Sequence, residues 1–218
     1  MRFVTSIYRF ALAALCLVGM RDAWPLGAVG RWVYLTYQGN LALALVMLWA
    51  GAATLLKGVQ PPAWLKGCVT FYMALIGLTV RLSAQGILPA GPTLLPGIDV
   101  ATLLQVVTPI MAFVDFILFD PHRRFAWHYT LTWLAYLPVY IGFVLVRASV
   151  SPHGGPGAGG SPYPSALLDL SHLGWGRMTV NMAEGLVCYF ALALALFLVD
   201  RILPAATPLT AGPARGRR

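Results

Sequence analysis

Several side chains in this sequence are of the types that cleave esters. Thr36 brings a hydroxyl, Asn40, Gln105 and Asn181 bring amide donors, and His172 and Glu184 bring groups that can take a proton. Nucleophilic hydrolysis needs these three parts: a hydroxyl, a base beside it, and donors aimed at the developing oxyanion. Their spacing sorts them. Thr36 and Asn40 are four residues apart, so on a helix they share a face. Thr102, Gln105 and Thr108 form a second stripe, and Asn181, Glu184 and Cys188 a third. The base is the weak part. Neither His172, in LLDLSHLGWG, nor Glu184 is tied to Thr36 by spacing, and a threonine without a base has almost no alkoxide at neutral pH. The P-loop, HExxH and GxSxG patterns are absent, and no cofactor is expected.

The elements that must hold these residues are membrane spans. The 218-residue chain is 59% hydrophobic and 10% charged, with mean hydropathy +0.74, whereas a soluble domain carries about 25% charged residues. The net charge of +8 is spread between oily runs rather than gathered with aromatics, so nucleic acid is not an expected partner and membrane lipid is. Cys16, Cys68 and Cys188 lie in or beside apolar segments with no CxxC or Cys/His pairing, which argues against disulfide and metal sites.

Six runs reach the roughly 20 residues that cross a bilayer: about 3–20, 33–56, 67–84, 100–119, 127–146 and 178–203. The expectation is an all-α, polytopic membrane protein, a bundle of six transmembrane helices in residues 1–203 with a disordered tail at 204–218. The first run contains Arg9 and also has the shape of a signal peptide, although no clear A-x-A-like site follows. Arg2, Lys57, Lys66, Arg123, Arg124, Arg201 and the terminal arginines fall on one side, against Arg21, Arg31, Arg147 and Arg177 on the other. The positive-inside rule then puts both termini in the cytoplasm of a cell whose plasma membrane the chain spans. The segment SPHGGPGAGGSP, residues 151–162, reads as a flexible external linker.

With that orientation, Thr36 and Asn40, Gln105, Asn181 with Glu184, and Arg81 at the end of the third span all lie at similar depth in the outer half. They predict one outward-facing polar pocket, with Arg81 and Glu184 a candidate ion pair. Two readings stay open for the set: a functional cavity, or hydrogen bonds that hold helices together. Asp115 lies deeper toward the other side, with Asp120, Arg123 and Arg124 just beyond and Asp200-Arg201 ending the last span. Structural pairing at that boundary is expected there, with a proton relay as the alternative. His122 and His128 flank the same boundary and are expected in solvated or snorkelling roles.

YLTYQGN opening the second span, VVTPIMAFVDFILFDPHRR ending the fourth, WLAYLPVYIGFVLVR in the fifth, YPSALLDL before the sixth, and Asn181 within it carry a resemblance. Over roughly residues 32–203 the chain resembles the bacterial Pr6Pr membrane proteins, distant relatives of the androgen-induced and androgen-dependent TFPI-regulating proteins of animals. The animal members are threonine hydrolases of fatty acid esters of hydroxy fatty acids, with a catalytic threonine in an early span and a histidine in a later one. The resemblance matches that threonine to Thr36. The histidine belongs four residues before Pro109, where this chain has Gln105, and glutamine cannot take and return a proton near neutral pH. Three readings follow. The first is a Pr6Pr-type membrane protein with a polar pocket and no settled activity. The second is a lipid-ester hydrolase with Thr36 as nucleophile and His172 or Glu184 as base. The third is a protein that binds or transports a fatty-acyl or other hydrophobic ligand.

Overall fold

The architecture follows from six apolar runs that must bury their few polar groups against one another. A computed structural model describes residues 1–82, 88, 93–95, 97–153, 155 and 160–206. It is an all-α bundle whose six long helices are each apolar enough to cross a membrane. They are α1 (Arg2–Gly19), α2 (Leu35–Leu56), α3 (Ala63–Leu82), α4 (Val100–Phe119), α5 (Tyr129–Val150) and α6 (Leu170–Ile202). A small antiparallel pair, β1 (Thr93–Leu95) with β2 (Ile98–Asp99), precedes α4. The tail from 207 onward and most of the glycine-rich part of the 151–162 linker lie outside the described residues.

The chain alternates through the bundle. The N terminus, the α2–α3 turn, the 120–128 segment and the end of α6 therefore share one end, called here the terminal face. Residues 20–34, Ile98–Asp99 ahead of α4 and residues 161–169 ahead of α6 share the far face.

α1 buries one stripe, Thr5, Arg9, Leu12, Ala13 and Cys16, at helical spacing. That stripe packs on α2, α3 and α4 through Leu43, Met47, Met73 and Ala112. Glycines let the helices approach closely. A β-carbon on Gly51 of α2 would sit 2.9 Å from the Phe10 ring of α1, and one on Gly19 would sit 2.5 Å from Leu104 of α4. A second core joins α3, α4, α5 and the terminal half of α6 around Phe71, Phe116, Trp133, Ala193 and Leu196.

Proline accounts for the departures from regular α geometry in α4 and α5. α5 tightens into a 3-10 turn at Trp133–Ala135, just before Pro138. α4 widens into a π turn at Leu103–Val107, just before Pro109. A proline has no N–H to donate and its ring crowds the preceding turn. α6 begins at Leu170 rather than near Met178, because Asp169 caps it by accepting from the Ser171 and His172 N–H groups at 3.1 and 3.4 Å. Burial acts to raise the Asp169 carboxyl, but the hydrogen bonds from Ser171, Ser161 and His172 outweigh it and hold it below the ordinary carboxylate range. The early part of α6 carries a kink at Gly174, whose φ of +66° suits a residue without a side chain.

Candidate functional site: two polar clusters at opposite ends

At the far face, the first turns of α2 meet the π turn of α4. Thr36, Asn40, Gln105 and Thr108 are all buried there. The geometry starts from Pro109. In a regular α register its missing N–H would leave the Gln105 carbonyl without a donor; in a π register it leaves the Leu104 carbonyl without one. The chain takes the second option, with the Thr108 N–H reaching Leu103 O. The Leu104 carbonyl accepts instead from Asn40 Nδ2 at 3.0 Å and from the Thr108 hydroxyl at 3.2 Å. Asn40 Nδ2 also donates to Thr36 O at 2.9 Å, and the single Thr108 hydroxyl hydrogen is shared between the Leu104 carbonyl and the nearer Asn40 Oδ1 at 2.6 Å. Asn40 is thus fully engaged: it stands in for the donor that proline lacks.

Thr36 is less committed. Gln105 Nε2 donates to its Oγ1 at a long 3.5 Å. Among the described residues, the Thr36 hydroxyl hydrogen meets no acceptor and Gln105 Oε1 meets no donor. Both side chains are 97% buried, with 3% of their surface exposed. The first polar residues of α2 are therefore held in the bundle interior.

The other residues singled out by sequence lie elsewhere. His172 and Glu184 are exposed on α6, and no hydrogen bond or ion pair joins either side chain to Thr36 among the described residues. Asn181 is half-buried and donates to Leu167 O at 3.3 Å. Arg81 ends α3, and its side chain lies outside the described part of the structure, so its pairing with Glu184 does too. Among the described residues no three His, Cys, Asp or Glu side chains gather to hold a metal ion.

At the terminal face a second cluster is built wholly from charges. Arg9 of α1 donates from Nε to Asp115 Oδ1 at 2.8 Å and from its guanidinium terminus to Asp120 Oδ1 at 2.8 Å. Lys66 of α3 donates to Asp115 Oδ2 at 2.7 Å and also to Asp120 Oδ1. Arg9 further reaches Thr54 Oγ1 at 2.9 Å and Gln60 at 3.4 Å. Two cations and two carboxylates balance, and Asp115 is completely enclosed. This is the pairing expected of Asp115, but its partners are not Arg123 and Arg124.

Three sequence-based assignments change here. Arg9, read as an interruption of an oily run, is the hub of the cluster. Lys66, counted among the loop charges, is buried inside the bundle. His122, expected in a solvated or snorkelling role, has its side chain fully enclosed against Phe116 and Asp200, because the 120–125 segment folds back onto the end of α6. For Arg9 and Asp115 a signal was available, since two opposite charges inside spans on the same side of the membrane pair by default. For His122 there was none, because the fold-back depends on backbone contacts.

A recess of about 10 Å³, close to the size of one water molecule, opens beside this cluster among Ala63, Lys66, Phe116, Asp120, Pro121, Arg124 and Phe125. Comparison with known proteins adds no identity to this geometry: no family model, no curated protein and no solved structure matches the chain.

Proposed function

We propose that the chain is a Pr6Pr-type integral membrane protein that binds a fatty-acyl-class amphiphile at the far-face cluster, with the ligand's polar head accepting from the Thr36 hydroxyl. The observation that carries this reading is the uncommitted hydrogen on a nearly enclosed Thr36. A buried donor without an acceptor costs roughly 1–3 kcal/mol, and a carbonyl or ester oxygen on a ligand removes that cost. Gln105 adds an amide beside it. The apolar remainder of such a ligand needs only the hydrocarbon that six apolar helices already imply.

Hydrolysis by Thr36 is the weaker reading. A base must lie within roughly 3 Å of the hydroxyl or one water away, and the groups around Thr36 are amides, a second threonine and backbone carbonyls. Location in the plasma membrane with both termini cytoplasmic belongs to the same proposal. It rests on the remaining charge bias: Lys57, Arg123, Arg124, Arg201 and the terminal arginines on one side.

The test pairs binding with turnover. Detergent-purified protein and its Thr36→Val variant are titrated with a fluorescent long-chain acyl ester, and the ester is then followed for cleavage. The expected result is saturable binding that weakens about tenfold in Thr36→Val, the equivalent of one hydrogen bond, with no cleavage by either protein. Binding that ignores the substitution would remove Thr36 from recognition. Cleavage abolished by the substitution would restore the hydrolase.

A further inference from the structure

His122 and Asp200 are both completely enclosed at the terminal face. Asp200 Oδ2 accepts the Phe125 N–H at 3.0 Å, while Asp200 Oδ1 has no donor. His122 Nε2 lies 3.2 Å from the Ile117 carbonyl oxygen. A carbonyl only accepts, so Nε2 must carry the hydrogen. That leaves His122 Nδ1 facing Asp200 Oδ1 across 3.8 Å, and neither atom has another partner. In a neutral imidazole beside a carboxylate these are two lone pairs pointed at each other in a closed space. One added proton, on either atom, turns the repulsion into a charge-assisted hydrogen bond.

We propose that His122 and Asp200 form a one-proton binding site that fastens the 120–125 segment to the end of α6. The same junction carries three backbone ties: His122 N–H to Ala205 O at 3.2 Å, Arg123 N–H to Asp200 O at 3.0 Å, and the Phe125 bond to the Asp200 carboxylate. The charged groups around the pair are already committed or turned away. Lys66 of α3 and Arg9 of α1 are each paired with Asp115 of α4 and with Asp120. Arg123 and Arg201 donate to the Leu203 and Phe125 carbonyls, and Arg124 is exposed. Among the described residues, no other cation therefore substitutes for the proton. The water-sized recess lined by Phe116, Pro121 and Phe125 adjoins the same 120–125 segment. The sign follows from the geometry: the junction is closed when the site holds its proton and loosens as rising pH removes it.

Amide hydrogen exchange of the full detergent-purified chain tests this, followed through an acid-to-alkaline pH series and corrected for the intrinsic rate at each pH. In the native chain, protection of the His122, Arg123 and Phe125 amides should fall about tenfold for each pH unit once the site titrates. Asp200→Asn places an amide donor opposite Nδ1 and should hold protection constant across the range. His122→Gln offers a donor to the Asp200 carboxylate from the other side, and should do the same if Asp200→Asn does not fold. A native chain with flat protection, or variants that lose protection with pH in parallel with it, would overturn the proposal.

Discussion

The two buried clusters are separated along α2 by the 14 residues from Asn40 to Thr54, about 21 Å of helix, and they solve the same problem differently. Each places polar groups where lipid cannot hydrate them. The far-face cluster uses neutral amides and hydroxyls, and leaves a donor over at Thr36. The terminal cluster uses full charges and matches two cations with two carboxylates. A neutral group tolerates an imperfect environment at modest cost, so it can keep a bond in reserve for a ligand. A buried ion cannot, because an unpaired charge in the same place costs several kcal/mol. The charged end is therefore the one that fixes how the helices sit, and the neutral end is the one with chemistry to spare.

The sharpest break in this comparison is Arg9→Leu. It leaves Asp115 and Asp120 with Lys66 alone and should destabilise the protein by about 3–5 kcal/mol, seen as a large fall in the detergent melting temperature or in folded yield. Removing the charges together, as Arg9→Leu with Asp115→Leu, leaves Lys66 with Asp120 and should recover much of that loss. A double variant as unstable as Arg9→Leu would show that charge balance is not what holds this end together.

Asn40→Ala is the corresponding test at the far face. It removes the Asn40 bonds to the Thr36 and Leu104 carbonyls and to the Thr108 hydroxyl, leaving the Leu104 carbonyl with that hydroxyl alone, and should cost about 2 kcal/mol in the same melting assay. Combining it with Pro109→Ala sharpens the point, because the restored N–H gives the widened turn its own donor. The two changes should couple by about 1 kcal/mol in a double-mutant cycle. Simple additivity would mean that Asn40 does not stand in for the proline N–H. The smallest stability effect belongs to Thr36→Val, expected within about 0.5 kcal/mol because so little is bonded to that hydroxyl. A larger drop would show that Thr36 belongs to the scaffold.

The same contrast explains what could be read from the sequence. Six apolar runs announce six helices, and the spacing of Thr36 with Asn40 and of Gln105 with Thr108 announces two polar faces on neighbouring spans. Helical periodicity is a local property, so both were visible. The π register was not, because proline breaks the ladder in either register and only packing against Asn40 selects one. The charged cluster was legible only in part, since opposite charges inside spans invite pairing without naming every partner. Arg9 and Asp115 lie 106 positions apart, and nothing local distinguishes a lysine that enters the bundle at Lys66 from one that stays in solvent at Lys57. His172 and Glu184 are exposed on α6, far in bonding terms from the threonine they were considered for, because a helix stripe states which residues align and not which way the stripe faces.

The pairing of Arg9 with Asp115 also has a history in every molecule made. At typical synthesis rates of about 5–20 residues per second, Arg9 leaves the ribosome roughly 5–20 s before its carboxylate partner exists. For that interval the first helix carries a bare guanidinium that the lipid rejects. It must wait at the membrane surface, beside the insertion machinery, or against a temporary partner, and move to its final depth when the fourth helix arrives. The helix that carries Arg9 is therefore made well before it can be settled.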